Sequence, residues 1–529
     1  MSPRVFKQSS VCKKFLQREL SRPLLLGAAA SVFLVCSVAP FVWVLLGISG
    51  SGWQPATLSG LLDARQRGLL ANTLALGFGT VAIAVALGVP LGVALGRCDM
   101  RRAAWLRILL VLPLVFPSYV LALCWMLLFG SVAPERAYGL TAAGLVLGFS
   151  FYPLVMLATE ASLRDLSPRL QDAARLVAST PRVWLSIVLP LMLPALAASG
   201  VIVFVLTISD FAVPSLLRAR VYTTEVFTAF AALYDFARAA VMALPLIAVA
   251  TLASLVALEL WRRPLVGRTE QGPAATVWSR DAQRLTIAVL GLVALAGLGI
   301  PVGILLFHAA SGRTPLGETL SGDAFRNSFV WSATGASLVV GVGGLLAYWR
   351  SAATTPYARA ADAMFAALFA VPATVLGVGV IALWNRPGWM GAIYRTDAIV
   401  IVGYVGRFLP LATLLCGAFL RRIPRGVDEA ALVSGASWLM SLRRIVLPMA
   451  AKGFAASWLI VFILIFGEVG VTILVAPPGE STLPVRAYTL IANSPTVDVA
   501  RLALLQIAVS ALPIVAIALL FHRRTAGPA

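Results

Sequence analysis

Long apolar runs, separated by short polar and basic stretches, occupy most of this chain. A run of about 20 apolar residues is long enough to cross a bilayer as a helix. Read that way, the chain holds twelve spans: 24–48, 71–96, 108–130, 141–163, 194–217, 239–260, 285–308, 328–349, 362–384, 397–420, 454–476 and 500–521. The first run follows a basic tail (1–23) carrying Arg4, Lys7, Lys13, Lys14, Arg18 and Arg22. A cleaved signal has an apolar core of about 7–15 residues, so this longer run reads as a retained first helix. With the N-terminus inside, the inner loops hold 29 Lys and Arg and the outer loops 11. That asymmetry predicts that both termini, including the short tail 522–529, lie in the cytoplasm.

The pattern repeats. Asn72 and Asn327 lie 255 residues apart, as do Pro117 and Pro372. The pairs Ala173-Ala174 and Ala430-Ala431 lie 257 apart; Pro190 and Pro448, and Asp210 and Glu468, lie 258 apart. A register this steady predicts two halves, 24–260 and 285–521, joined by a linker over 261–284 that is rich in Arg, Gly and Pro. Six spans return the chain to its starting side, so the halves are parallel repeats about an axis along the membrane normal. The fold class is an all-α membrane protein. Pro113, Pro117 and Pro372 are expected to interrupt spans three and nine, and Pro245 and Pro513 to kink spans six and twelve.

Composition narrows the function. With 60% hydrophobic and 12% charged residues, mean hydropathy +0.91, the chain is no soluble domain. The net charge of +20 is spread over loops between spans and makes no single basic face, so nucleic acid is not expected as a partner, whereas membrane lipid is. Five cysteines, with no C-x-x-C pair, read as free thiols, and two histidines are too few for a haem or zinc site. No Gly-Lys pair occurs, so there is no phosphate-cradling G-x-x-x-x-G-K-[ST] loop. Neither a G-x-S-x-G elbow nor an H-E-x-x-H helix is present. A catalytic role, a bound cofactor and a metal site are therefore not expected. Outer loops are short, the longest near 49–70, 218–238 and 477–499, so capture of a solute outside the membrane falls to another polypeptide.

The most informative stretch is 428–448, DEAALVSGASWLMSLRRIVLP, on the inner side between two spans. It reads as a helix, a turn at Gly435 and a second helix, with Pro448 in the first turn of the span that follows. A weaker copy, DAARLVASTPRVWLSIVLP, lies at 172–190. The stretch resembles the EAA loop of ABC-importer permeases: Glu429, Ala430, Ala431, Gly435, Ile445, Leu447 and Pro448 match at family spacing. In the upstream copy Asp172 stands for the Glu, Ala173 and Ala174 for the Ala pair and Ala178 for the Gly, with one residue fewer before Ile187. The fused two-copy layout, with SDFAVPSLL in one half and GEVGVTILVAPPGESTLPVR in the other, is most similar to the ferric-iron branch of these permeases. Relatives for thiamine, phosphonates or polyamines share much of it.

The resemblance implies a MetI-like permease fold in each half. It also implies two copies of a separate ATPase that hold ATP and Mg²⁺, and a periplasmic or lipid-anchored solute-binding protein. Asp172, Ala173, Ala174, Ala178, Glu429, Ala430, Ala431 and Gly435 would then form the contact with the ATPase. Three charged residues fall in or near spans and are pathway candidates: Asp210, Glu468 and Arg407. For the acids two readings stand open. They face one another across a central pathway, suiting a cation or metal-bearing solute, or they lie at outer helix ends beside water or a basic partner. Arg407 either lines the pathway or pairs with Glu468. The rival of another class is a secondary transporter, since twelve spans in two halves also describe the major facilitator layout. Its G-x-x-x-D-R loop is only partly matched by GRCDMRR at 96–102 and has no counterpart in the second half.

Overall fold

The computed structural model describes residues 24–50, 63–97, 104–166, 174, 176, 179–262, 280–311, 322–352, 355–421, 423–424, 427, 430–431, 433–493 and 495–522. The N-terminal tail and most of the linker lie outside them. Among the described residues, ten helices are long and apolar enough to cross a membrane, and two further helix pairs are sharply bent; counting each bent pair as one span gives twelve. In chain order they are α1 (Leu24–Leu46), α2 (Ala64–Gly96), α3 (Leu106–Leu114 and Ser118–Gly130), α4 (Leu140–Arg164), α5 (Pro181–Ser209) and α6 (Phe236–Leu260). The second half holds α7 (Gln283–Ala310), α8 (Gly322–Ser351), α9 (Pro356–Ala370 and Ala373–Trp384), α10 (Ala398–Leu420), α11 (Trp438–Phe466) and α12 (Thr496–His522).

Proline writes most of the irregular features. The expected interruptions in α3 and α9 are near right angles, 96° and 94°, and the second arm starts immediately after Pro117 or Pro372. The residue before proline is pushed out of the helical region, which fixes the corner. Four π turns, Leu34–Val38, Trp184–Val188, Leu295–Gly299 and Leu442–Val446, each end two residues before a proline: Pro40, Pro190, Pro301 and Pro448. A proline ring clashes with the carbonyl four residues back and cannot bond it, and widening the turn makes room. Hence α5 and α11 start 13 and 16 residues earlier than their apolar runs, at Pro181 and Trp438 rather than 194 and 454. The second helix of each inner loop is continuous with the span, and Pro448 does not open a new one. The helices carrying Pro245 and Pro513 continue past them.

Glycine sets the tightest packing. In α2, Gly88, Gly92 and Gly96 fall four residues apart and lie against the α4 backbone at Tyr152, Met156 and Glu160. A Cβ on Gly92 would stand 2.5 Å from the Met156 carbonyl oxygen. Small residues at this spacing let two helix backbones touch in a membrane, where dispersion rather than hydrophobicity drives association. The second half repeats the seat with Gly343 of α8 against Ala412 and Thr413 of α10.

The first span of each half packs on the other half. The Cys36 and Pro40 carbonyls of α1 lie over Gly406 of α10 and Gly379 of α9, at 2.4 and 2.5 Å from where a Cβ would be. In turn α7 packs on α3 and on α12, with Gly297 against Pro113. At the other end of the bundle, an Asn-hydroxyl pair in each half holds the short helices that follow the fifth span. Asn72 donates to the Arg220 carbonyl (3.1 Å) and the Thr73 hydroxyl accepts from the Tyr222 N–H (3.1 Å). Asn327 donates to Glu480 (2.5 Å) and the Ser328 hydroxyl accepts from the Leu483 N–H (2.6 Å).

Substituting Gly92 by Ala is expected to cost about 1–3 kcal/mol through overpacking. Gly341→Ala, at a glycine with open space beside it, should leave stability unchanged. Thermal unfolding in detergent compares the two directly.

Candidate functional site

Two places bring the singled-out residues together: the inner-loop elbows, and the seam between the halves.

At the second elbow, Gly435 has φ +83°, the left-handed conformation that ends helices. The Ala436 N–H bonds back to the Ala431 carbonyl (3.0 Å) and Ser434 to Ala430 (3.0 Å), a closed helix end. The Ser437 side chain then accepts from the Met440 N–H (3.3 Å) and starts the next helix. Ala431 is buried and holds the elbow against the bundle, whereas Ala430, Ser434 and Gly435 are exposed. Val433 projects outward at 88% exposure. At its two described positions the first elbow matches: Ala174 is buried, and Leu176, 257 residues before Val433, is also 88% exposed. Asp172, Ala173, Ala178 and Glu429 lie outside the described residues. The outward pair Leu176 and Val433 is a feature that reading the loops for the EAA pattern missed. Its signal was an apolar residue at the same offset from the Ala pair in both loops.

The seam gathers the charged residues. Asp210 and Glu468 lie just past the ends of α5 and α11, not inside them. Each accepts from the N–H three residues on, Val213 at 2.9 Å and Val471 at 3.0 Å, and so caps the short helix Ala212–Leu216 or the turn into Thr472–Val475. Asp210 also takes the Ser118 hydroxyl at 2.7 Å, at the first residue of the second arm of α3. An acid at that N-terminus is favoured by the helix dipole. The position equivalent to Ser118 is Ala373, which donates nothing, and its methyl sits close over Gly470. There Glu468 uses Arg407 instead: Nε lies 3.0 Å from Oε2, in charge contact without hydrogen-bond alignment. Arg407 reaches on with Nη1 to the Val371 carbonyl (3.5 Å), at the end of the first arm of α9.

These contacts explain why charge is tolerated here. A helix broken in an apolar medium leaves carbonyls and N–H groups that must be met from within the protein. At the α9 corner the Ala370 carbonyl accepts from Ser209 at 3.4 Å and the Val371 carbonyl faces Arg407. The halves meet crosswise. The end of α5 touches the corner of α9 through Ser209, and Gly467, its 258-residue counterpart at the end of α11, lies against Pro117 at the corner of α3. Asp210, Glu468 and Arg407 are near enough to act on one another electrostatically. Further buried polar pairs join the halves: Tyr119 with Gln506, and Tyr488 with Ser215 at 2.7 Å.

Arg407→Ala should destabilise the chain by about 3–5 kcal/mol, because it leaves the buried Glu468 uncompensated. The double variant Arg407→Ala/Glu468→Gln should recover most of that loss. A double-mutant cycle on unfolding midpoints measures the coupling.

Comparison with known proteins places the chain. The family model described as binding-protein-dependent transport system inner membrane component matches twice, at residues 88–263 and 339–526. The Fe(3+)-transport system permease protein FbpB 2 of Haemophilus influenzae is 24% identical over 489 residues, 90% of this chain and 94% of that protein. The ferric transport system permease protein FbpB of Actinobacillus pleuropneumoniae is 24% identical over 418 residues, 72% of this chain and 60% of its own length. A putative 2-aminoethylphosphonate transport system permease protein, PhnV, of Salmonella typhimurium is 25% identical over 260 residues, 45% of this chain and 94% of that protein. With one match in each half, together covering most of its length, this chain belongs to the inner-membrane components of binding-protein-dependent transport systems.

Proposed function

We propose that this chain is the membrane-spanning permease subunit of an ATP-driven importer that moves ferric iron into the cytoplasm. Each half acts as one permease domain. Two copies of a separate ATPase grip the two elbows from the cytoplasm, and a periplasmic or lipid-anchored binding protein delivers the cargo at the opposite face. Both termini are cytoplasmic in this arrangement, as the loop charges predict.

The observation that carries the reading is the matched pair of elbows. Each has a buried alanine that fixes it to the bundle and an outward apolar side chain, Leu176 or Val433, on an inner loop where water would otherwise disfavour it. Two such knobs, related by the internal repeat, suit two identical sockets.

The cargo path follows the seam. Passage there requires the ends of α5 and α11 to part from the corners of α9 and α3, so the state described is closed at that level. Asp210 is only partly buried and the seam sets two carboxyl groups against one guanidinium, an arrangement that suits a cation. Ferric iron is the cargo in the names of the two ferric relatives compared above. In this reading Asp210 meets the cargo, while Glu468 and Arg407 hold the α9 corner.

Proteoliposomes carrying this chain, its ATPase and its binding protein should take up radiolabelled ferric iron only when ATP is present on the ATPase side. Uptake driven by an ion gradient without the ATPase would overturn the reading. Leu176→Asp and Val433→Asp should each reduce the ATPase recovered with the tagged chain, and together nearly abolish it, while membrane insertion stays normal. Undiminished recovery with the double variant would remove the elbows from the contact.

A further inference from the structure

A buried ionic cluster stands at the base of each elbow. In the first half Glu160 of α4 is only 6% exposed and lies between Arg107, on the first arm of α3, and Arg164, at 2.7 Å. Arg164 closes α4 immediately before the elbow. Two guanidiniums thus enclose the Glu160 carboxylate. In the second half Asp362, on the first arm of α9, is 8% exposed. Arg350 of α8 binds it with two nitrogens, one to each carboxylate oxygen. Arg421, which follows α10 and opens the second elbow, lies within electrostatic reach of both.

The two clusters are equivalent in place, each one acid with two arginines, and are reversed in which side of the contact carries the acid. The 255-residue offset that relates Pro117 to Pro372 relates Arg107 to Asp362. The 257-residue offset that relates Pro153 to Pro410 relates Arg164 to Arg421, and Glu160 to Gly417. So the arm of the broken span carries the cation in one half and the anion in the other. Where the first half places its acid, the second has a glycine. A Cβ there would already lie 3.9 Å from both the Arg350 and the Arg421 Nη1 atoms, so a long acid would crowd the guanidiniums. The acid has moved from the elbow-side span to the broken span: Asp362 is tied to Arg350 of α8, whose guanidinium lies over Gly417 beside Arg421 at the elbow base. Packing alone does not demand this: an apolar pair would hold two helices together at less desolvation cost.

We propose that these two clusters are the joints through which elbow movement reaches the broken spans, making Arg107, Glu160, Arg350 and Asp362 positioning residues for coupled transport. The inference rests on the import reading above. An elbow pushed by a nucleotide-driven partner moves the end of α4 or α10. In the first half the Arg107–Glu160 pair carries that movement directly to the first arm of α3; in the second, Arg350 of α8, lying over Gly417 of α10, carries it to Asp362 on the first arm of α9. The far end of each arm is the corner at Pro117 or Pro372, against the seam. A charged, multiply bonded tie resists sliding and rotation better than an apolar contact of the same size.

The test uses the reconstituted complex of this chain, its ATPase and its binding protein, reading ATP hydrolysis, iron uptake and unfolding midpoint together. Glu160→Arg alone should keep hydrolysis and lower uptake per ATP by about tenfold, within the range of measured coupling free energies. Arg107→Glu/Glu160→Arg, which rebuilds the second half's polarity in the first, should return the ratio to within about threefold of the parent. If Glu160→Arg does not assemble, Glu160→Gln removes the charge at nearly constant volume and is read the same way. An unchanged ratio in the single and swapped variants, or a loss of hydrolysis and uptake in equal proportion with a lowered midpoint, overturns the joint. A parent complex without ATP-dependent uptake overturns the import reading, and this inference with it.

Discussion

In an apolar medium no water is available to a broken helix, so every backbone group freed at a break must find a partner inside the protein. Two spans of this chain, α3 and α9, turn through nearly a right angle at Pro117 and Pro372. Those corners place polar groups in the middle of the bundle and determine what can sit beside them. Ser209 and Arg407 turn toward the carbonyls that end one arm, and Asp210 sits at the N-terminus of another. The charged residues at the seam are there first because the corners need them. The proposed pathway along the seam would then use polar groups already satisfied by these contacts.

Duplication lets the molecule act as its own comparison. Some features are kept in both halves with the same chemistry: the Asn-hydroxyl clamps, the carboxylate caps at Asp210 and Glu468, and the π turns before Pro190 and Pro448. Others keep the contact and change the residues. Ser118 serves Asp210 directly, whereas Ala373 cannot serve Glu468, and Arg407 takes over from another helix. The elbow-base clusters go furthest: the broken span carries the cation, Arg107, in one half and the anion, Asp362, in the other. A contact that persists while its residues change identifies a mechanical requirement more directly than identical residues do.

Much of this was legible in the sequence. The apolar runs gave the spans, and the steady offsets gave the repeat, because a membrane crossing needs a fixed length and a duplication keeps its register. The corners at Pro117 and Pro372 and the turn at Gly435 followed from backbone chemistry that no neighbour can alter. What was not legible depended on three-dimensional partners. Hydropathy cannot see that α5 and α11 extend inward through Trp184 and Trp438 to the elbows, since those turns are mixed in polarity. A carboxylate such as Glu160 looks alike in sequence whether it reaches water or meets two arginines from other segments. Asp210 and Glu468 appeared to be inside spans because the apolar run continues past a helix end that only their own capping bonds define. The exchange of α1 and α7 between halves left no mark on hydropathy at all.

The central claim is that the closed seam must part for cargo to pass. It is tested most directly by joining the seam. In a chain whose own cysteines, Cys12, Cys36, Cys98, Cys124 and Cys416, are replaced by serine or alanine, cysteines at Ser209 and Ala370 are oxidised to a disulfide in the reconstituted complex. ATP-driven uptake should stop when the bond forms and return when it is reduced. Uptake at the parent rate with the bond fully formed would contradict the account.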